Sequence, residues 1–367
     1  MKYKSIYNTL FSEISEGVYS GCAFLPSEKE LCARFDAERN TVRKALTLLS
    51  DAHLITKYPG KGSKIRVHPE TNPETDSQTG PVSQSSRSLS ENDTRRVILY
   101  LFYFDALSQE NVGLFHLNVF NGMKKRLEAE GYSLIFHPLN SQELLQKTIT
   151  LHRPSGILID SYAENSYYRM LTDSGLPCIS ITHNTPYFTS IVSDNEGGAR
   201  NAVRLLSENG HRHILCLCGN KKYGTCLERI RGVKKAAEET GTELRFLDGD
   251  WSFRSGYEAG TEIVNLYRNE GYTALFCMND DMAYGCMKYL DEHGIRVPQD
   301  LSVIGFDNSD CYGSLKITSV DVHSEILLDY CLFAILGAVD GRLPSAPARI
   351  QIDTSLAVNR KTWRTVQ

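Results

Sequence analysis

Residues 214–247 read ILCLCGNKKYGTCLERIRGVKKAAEETGTELRFL, and this stretch decides the fold. The apolar run Ile214–Cys218 has the length and composition of a buried strand. Arg229–Thr240 carries the spacing of an amphipathic helix, and Leu244–Leu247 is a strand again. The alternation recurs on both sides. Strand-like runs lie at Val97–Phe104, Ser133–His137, Gly156–Ile159, Cys178–Ile181, Ala274–Met278 and Leu301–Phe306. Amphipathic segments lie at Phe120–Glu130, Gly197–Asn209, Ser255–Arg268 and Met282–His293. Repeated strand–helix units of this length form parallel sheets with helices on both faces. About 270 residues in this pattern suit two doubly wound lobes better than one sheet, so the expected class is α/β.

The N-terminal part is built differently. Ile6, Tyr7, Leu10, Phe11 and Ile14 fall at helical spacing. Pro26 and Ser27 open a second helix, where Ser27 and Glu30 form a capping-box pattern and the helix runs to about Phe35. A third runs from about Arg39 to Asp51, with Val42, Ala45, Leu46 and Leu49 on its buried stripe. Leu54–Tyr58, the turn Pro59-Gly60-Lys61-Gly62 and Ser63–Val67 make a two-stranded hairpin. Three helices and a hairpin in under 70 residues constitute a winged helix-turn-helix, expected over residues 1–67.

Between the two parts, residues 68–95 hold only Val82 and Leu89 as large apolar side chains. Such a stretch buries too little apolar surface to offset its ordering entropy and reads as a flexible linker, spanning roughly 30 Å. The two-lobed body then occupies 96–367. Charge divides at the same place. Residues 1–66 hold 11 basic against 7 acidic side chains, a net of +4, and the remainder 29 against 37, a net of −8. A basic head on an acidic body means that the head is the part that meets a polyanion.

Of 367 residues 41% are hydrophobic, enough for a sizeable core, and no stretch approaches a membrane-spanning length. The first residues, MKYKSIYNTLFSEIS, lack the apolar segment of a signal peptide, so a cytoplasmic protein is expected. The ten cysteines show no CxxC spacing and sit mostly in apolar runs, as reduced core thiols do. A P-loop, G-x-G-x-x-G after a strand, G-x-S-x-G and metal-ligand spacing are all absent, and neither an enzyme, a cofactor nor a metal is expected. Asp280-Asp281 is a carboxylate pair, but adjacent residues point to different sides of an element.

Leu25-Pro-Ser-Glu-Lys-Glu-Leu31, Arg39-Asn-Thr-Val-Arg-Lys-Ala-Leu46 and Gly60-Lys-Gly-Ser-Lys-Ile65 stand in order and at the right spacing. Residues 3–67 thereby resemble the GntR family of bacterial regulators. The third helix can enter the major groove with its first residues at the base edges. Arg39 suits a bidentate guanine contact, because its fork matches two acceptors on that base. Asn40, Thr41, Arg43 and Lys44 extend this reading surface to flanking bases or phosphates. Lys29 can grip backbone from the second helix, and Lys61 with Gly62 can approach the minor groove. Taken alone, such cations are a solvated charged face; the complete motif makes them DNA contacts. Where the family has Val-Ser, this chain has Ala37-Glu38. Glu38 is a poor helix cap near phosphates, and either accepts from a cytosine amino group or simply lowers affinity.

A second set of motifs runs through the body: Arg153-Pro-Ser-Gly-Ile-Leu158, Val192-Ser-Asp-Asn-Glu-Gly-Gly-Ala199, Gly210-His-Arg-His-Ile214, Arg229-Ile-Arg-Gly232, Gly249-Asp-Trp-Ser252, Asn279-Asp-Asp-Met-Ala283 and Gly305-Phe-Asp307. From about 96 to 363 the chain resembles the lac repressor family, whose effector domain shares the periplasmic-binding-protein fold. With the head included, it looks most like the arabinose repressors of Gram-positive bacteria. Ligands of open α/β sheets bind outside the carboxyl ends of the strands, where Trp251, Asn279 and Asp307 fall, with Arg229 beyond its strand. The resemblance implies that Arg229, Asn279 and Asp307 hydrogen-bond a sugar and that Trp251 stacks on it. Phe115 or His116 is expected from the first lobe, with Asp160, Ser161 and Glu196 as further contacts. Asp194-Asn195 reads as a helix cap and His211 as structural.

Together these readings describe a sugar-responsive DNA-binding regulator, expected as a homodimer on double-stranded operator DNA. A monosaccharide such as L-arabinose is the expected effector, with a nucleobase or sugar phosphate as the alternative and a sugar-modifying enzyme as the reading from another class.

Overall fold

The computed structural model describes residues 6, 9–10, 24–51, 55–58, 62–65, 96–103, 113–309, 316–344 and 346–366. The chain divides into two compact units, Met1–Thr94 and Arg95–Gln367. The expected linker lies outside the described residues, as does most of the first expected helix.

In the first unit, α1 (Glu28–Arg34) starts at the expected capping box. The Ser27 amide donates to Glu30 Oε2 at 2.7 Å, and the Glu30 amide donates back to Ser27 Oγ at 3.3 Å. The second helix, α2 (Arg39–Asp51), lays Val42, Ala45, Leu46 and Leu49 against Leu25, Leu31 and Ile55, and Ile6 and Leu10 join this core. Strands β1 (Ile55–Tyr58) and β2 (Gly62–Ile65) pair antiparallel with Tyr58 opposite Gly62, so the wing is present as expected. The Leu25 amide ties the entry to α1 onto the wing by donating to Ser63 O at 2.9 Å.

Among the described residues, the second unit holds two six-stranded sheets. The first has the order β4-β3-β5-β6-β7-β13 and is wholly parallel: β3 (Val97–Tyr103), β4 (Ser133–Leu139), β5 (Gly156–Asp160), β6 (Cys178–Ile181), β7 (Thr189–Ser193) and β13 (Arg349–Ile352). The second has the order β9-β8-β10-β11-β12-β14: β8 (His213–Cys218), β9 (Glu243–Asp248), β10 (Ala274–Cys277), β11 (Ser302–Asp307), β12 (Thr318–Asp321) and β14 (Ser355–Ala357). Only β14 runs antiparallel. Each sheet is a lobe, and the chain crosses between lobes after β7, after β12 and after β13.

The order of elements explains what the sequence pattern hides. The helices are α3 (Leu114–Ala129), α4 (Gln142–His152), α5 (Asn165–Asp173), α6 (Asn195–Glu208), α7 (Gly224–Thr240), α8 (Phe253–Glu270), α9 (Asp280–Glu292) and α10 (Ser324–Val339). The eight strand-like runs all fall on strands. The four short strands β7, β12, β13 and β14, and helices α4, α5 and α10, carry no expectation. In α10 the buried side chains Leu327, Leu328, Cys331, Ala334 and Ile335 share the helix with exposed Ile326, Tyr330 and Phe333, so nearly every side is apolar and the 3.6-residue period vanishes.

All described cysteines are free, and all but half-buried Cys32 are buried. Burial pushes the Cys178 and Cys216 thiols up to about 12, as expected for core thiols. No helix among the described residues is long and apolar enough to cross a membrane.

Candidate functional site

The first candidate site is the exposed face of α1 and α2. Lys29, Arg39, Asn40, Arg43 and Lys44 are exposed there, and Thr41 is half-buried. Glu28, in the first turn of α1, accepts from Arg39 Nε at 2.8 Å and from Arg43 Nε at 3.0 Å. Those two arginine bonds hold its carboxyl below the usual range. The Thr41 and Val42 amides donate to the Glu38 carbonyl at 2.9 and 3.1 Å, so Glu38 opens α2 from its backbone. Gly62 adopts φ +101°, a conformation in which a side chain is strained, which accounts for glycine on the wing. Lys61 lies outside the described residues.

The second site is the cleft between the lobes. On the second-lobe side, Arg229 of α7 is buried and engaged on every edge. Its Nε donates to Asn195 Oδ1 at 2.9 Å, Nη1 donates to Met278 O, and Nη2 donates to Asp307 Oδ1 at 3.3 Å. The plane lies 3.5 Å from the Phe306 ring centre. Burial outweighs the pairing in both partners. It draws the Arg229 pKa down, and it pushes Asp307 up to about 6 against the opposing pull of Arg229, with Asp281 adding to the rise. Asp307 and Trp251 sit at φ +107° and +73°, and such non-glycine conformations, costing about 1–3 kcal/mol each, gather at functional sites.

Trp251 lies on Gly219, where a Cβ would come within 2.0 Å of the indole. Asn279 caps α9, its Oδ1 accepting from the Met282 amide at 3.0 Å, and its Nδ2 donates to Trp251 O at 2.8 Å. The structure therefore makes Asn279 a brace for Trp251. Asp280 is buried, accepting from Ser319 Oγ and the Ser309 amide, both at 2.7 Å, while Asp281 is half-buried, so the two diverge as expected. Burial pushes the Asp280 carboxyl well above its usual range.

The first lobe answers with a second cluster. His116, in the first turn of α3, lies 2.8 Å through Nδ1 from Asp160 Oδ2 at the carboxyl end of β5. Asp160 is fully buried and also accepts from Tyr100 OH at 2.5 Å and Thr182 Oγ1 at 2.7 Å. Burial lowers the His116 pKa, but Asp160 outweighs it, helped by Asp307 and Asp281 across the cleft, so the net shift is upward. Phe115 packs against the buried cores of both lobes. Ser161, at φ +68°, donates its amide to Thr182 Oγ1 at 3.1 Å.

Glu196 is a correction. Its carboxylate is paired with Arg231 at 3.0 Å and with Lys235 of α7, because the helix rotates by about 100° per residue and carries it away from the side on which Asn195 meets Arg229. Asp194 caps α6 as expected, accepting from the Gly197 amide at 3.0 Å, whereas Asn195 faces Arg229. His211 is structural, bound to Thr273 Oγ1 at 2.8 Å and Arg364 O at 3.0 Å. A depression of about 720 Å³ lies elsewhere, between α4 and α5. Its charged lining residues Arg153, Arg169 and Asp173 are exposed, without the buried polar groups that converge on the cleft.

Comparison with known proteins matches this layout. Residues 2–65 match the bacterial regulatory proteins of the gntR family, and residues 203–362 match the periplasmic binding protein-like domain. Over 253 residues the chain is 31% identical to the HTH-type transcriptional repressor PurR of Vibrio atlanticus, covering 65% of this chain and 72% of that protein. The chain belongs to the lac repressor family. Its head is of the GntR type, and it is a transcription regulator with a DNA-binding head and a small-molecule-binding body. The structure of a CelR–cellobiose complex shares the fold at TM-score 0.64 with 24% identity, covering 73% of this chain and 85% of that one. A dimeric lac repressor does so at 0.62 with 23%, covering 74% of this chain and 100% of that one.

Within this lac repressor fold, sequence reasoning missed an aromatic row. Tyr103, Tyr162, Tyr223 and Trp251 follow one another at ring-centre distances of 5.8, 5.8 and 6.5 Å, and His183 lies 5.6 Å from Tyr162. Tyr103, Tyr162 and His183 come from the first lobe, Tyr223 and Trp251 from the second, so the row spans the cleft. Each of these residues follows the carboxyl end of a strand or closes it, the one signal that could have found them.

Proposed function

We propose that the chain is a sugar-responsive repressor of carbohydrate-utilisation genes, acting as a cytoplasmic homodimer and released from its operator when a monosaccharide such as L-arabinose occupies the cleft. The observation that carries this reading is the buried Arg229–Asp307 pair beside Trp251, opposite His116 and Asp160. A fixed donor and acceptor serve adjacent hydroxyls, and an indole pinned on Gly219 offers the apolar face of a pyranose a flat partner. The fold neighbour in complex with cellobiose is consistent with a carbohydrate, and the dimeric neighbour with two-fold assembly.

On this reading the body works by binding and does no chemistry; relatives such as the Vibrio atlanticus protein bear the name of transcriptional repressors. Sugar draws the lobes together, alters the dimer and changes the spacing of two tethered heads. Residues 68–95 then need only length, and a Gly/Ser segment of equal length preserves induction; its complete loss refutes coupling of this kind.

A second reading, a nucleobase effector, draws on the aromatic row of Tyr162, Tyr223 and Trp251, because a flat heterocycle packs well among aromatic rings. Thermal unfolding of the full chain against pentoses, hexoses and purines separates the two. The true effector at 100 times its Kd stabilises the body by about 2.7 kcal/mol. A shift with a purine and with no sugar overturns the sugar reading.

A further inference from the structure

We propose that Glu28 sets the sequence specificity of the head by positioning Arg39 and Arg43. The proposal rests on the reading of those arginines as DNA contacts. One carboxylate from the first turn of α1 reaches two guanidinium groups one turn apart on α2. It meets both through Nε, at 2.8 and 3.0 Å, and the Nη1–Nη2 end of each fork takes no part in these bonds. That is the end suited to two acceptors on a guanine edge.

The geometry has two consequences. Arg39 and Arg43 are like charges at i and i+4, which repel, and the shared carboxylate turns that repulsion into a bridged pair with one net positive charge. The arginine side chains are 69% and 53% exposed, and long flexible cations left unbraced on a DNA-facing surface settle on phosphates, which carry no sequence information. The brace withholds both arginines from the backbone and presents them end-on to bases. Glu28 itself is 32% exposed, so DNA can meet the two forks while the Nε bonds persist.

Glu28→Gln keeps the size of the side chain and removes the charge. The experiment uses full-length protein, a short duplex enriched by the wild type from a random pool, and a scrambled duplex of the same composition as the sequence-blind competitor, with Arg39→Ala alongside. For Glu28→Gln the ratio of enriched to sequence-blind affinity falls about tenfold or more, while affinity for the scrambled duplex holds or rises and its salt dependence steepens by about one phosphate contact. A structural role predicts the opposite for the competitor, because a loosened head loses all DNA in parallel, and that outcome overturns the proposal. An unchanged ratio for Glu28→Gln, with a collapsed ratio for Arg39→Ala, overturns it while sparing the DNA reading. If Arg39→Ala leaves both affinities unchanged, the DNA reading and the proposal fall together.

Discussion

Arg39 in the head and Arg229 in the body are each held by a carboxylate, yet the side chain of the first is 69% exposed and that of the second 9%. Arg39 shares one surface partner, and exposed pairs of this kind are weak and screened by salt. Such a group can be braced without being buried, and it stays open to an incoming base. Arg229 has left water altogether, and its compensation is complete within the body: Asn195, Met278 O, Asp307 and the face of Phe306. It cannot move off to greet a ligand. On the proposed function, the head would read by offering exposed cations and the cleft would select by presenting a finished surface.

The largest effect that tests this contrast is Arg229→Met. It strands Asp307 without its cation, and a broken buried pair costs about 3–5 kcal/mol, read as a lower urea midpoint for the body together with a lost effector response. Arg229→Lys restores little, since one ammonium cannot replace a three-sided fork. A loss near zero would put Arg229 in the same class as Arg39 and erase the distinction. Arg39→Ala, by contrast, leaves unfolding untouched while reducing discrimination between the enriched and scrambled duplexes about ten- to hundredfold.

Gly219→Ala probes the finished surface directly. The added Cβ displaces the indole of Trp251, with an expected cost of about 1–3 kcal/mol in stability and weaker effector binding by calorimetry. Unchanged effector binding would show that the indole does not need its seat.

Next comes pH. Asp307, pushed up to about 6 in the folded body, lies above the roughly 3.9 of an unfolded aspartate. The folded state therefore holds this proton more tightly. Its contribution to stability is greatest below pH 4 and is lost as pH rises through about 6. Effector affinity that depends on the ionised carboxylate runs the other way, falling by up to about tenfold per unit below pH 6. Asp307→Asn flattens both profiles, and an unaltered profile in that variant removes Asp307 from the account. The smallest effect belongs to the head: Glu38→Ser supplies the missing side-chain cap of α2, worth about 0.5–1 kcal/mol in its melting.

Strand and helix alternation, the capping box at Ser27 and Glu30, the buried stripe of α2 and the charge boundary near residue 66 could all be read from local order, because each depends on neighbours a few residues apart. The same holds for the residues that line the cleft from the second lobe, which sit where strands of an α/β sheet end. What only the tertiary structure decided is which groups share a partner. Glu28 lies 11 and 15 residues from the arginines it braces, and Asp160 gathers His116, Tyr100 and Thr182 from 44, 60 and 22 residues away. Glu196 and Asn195 are neighbours in sequence, yet one faces outward to Lys235 and the other inward to Arg229. Periodicity reports which side of an element is apolar; it carries no information on which distant polar group arrives there, and at a buried site that arrival sets the charge, the proton affinity and the chemistry.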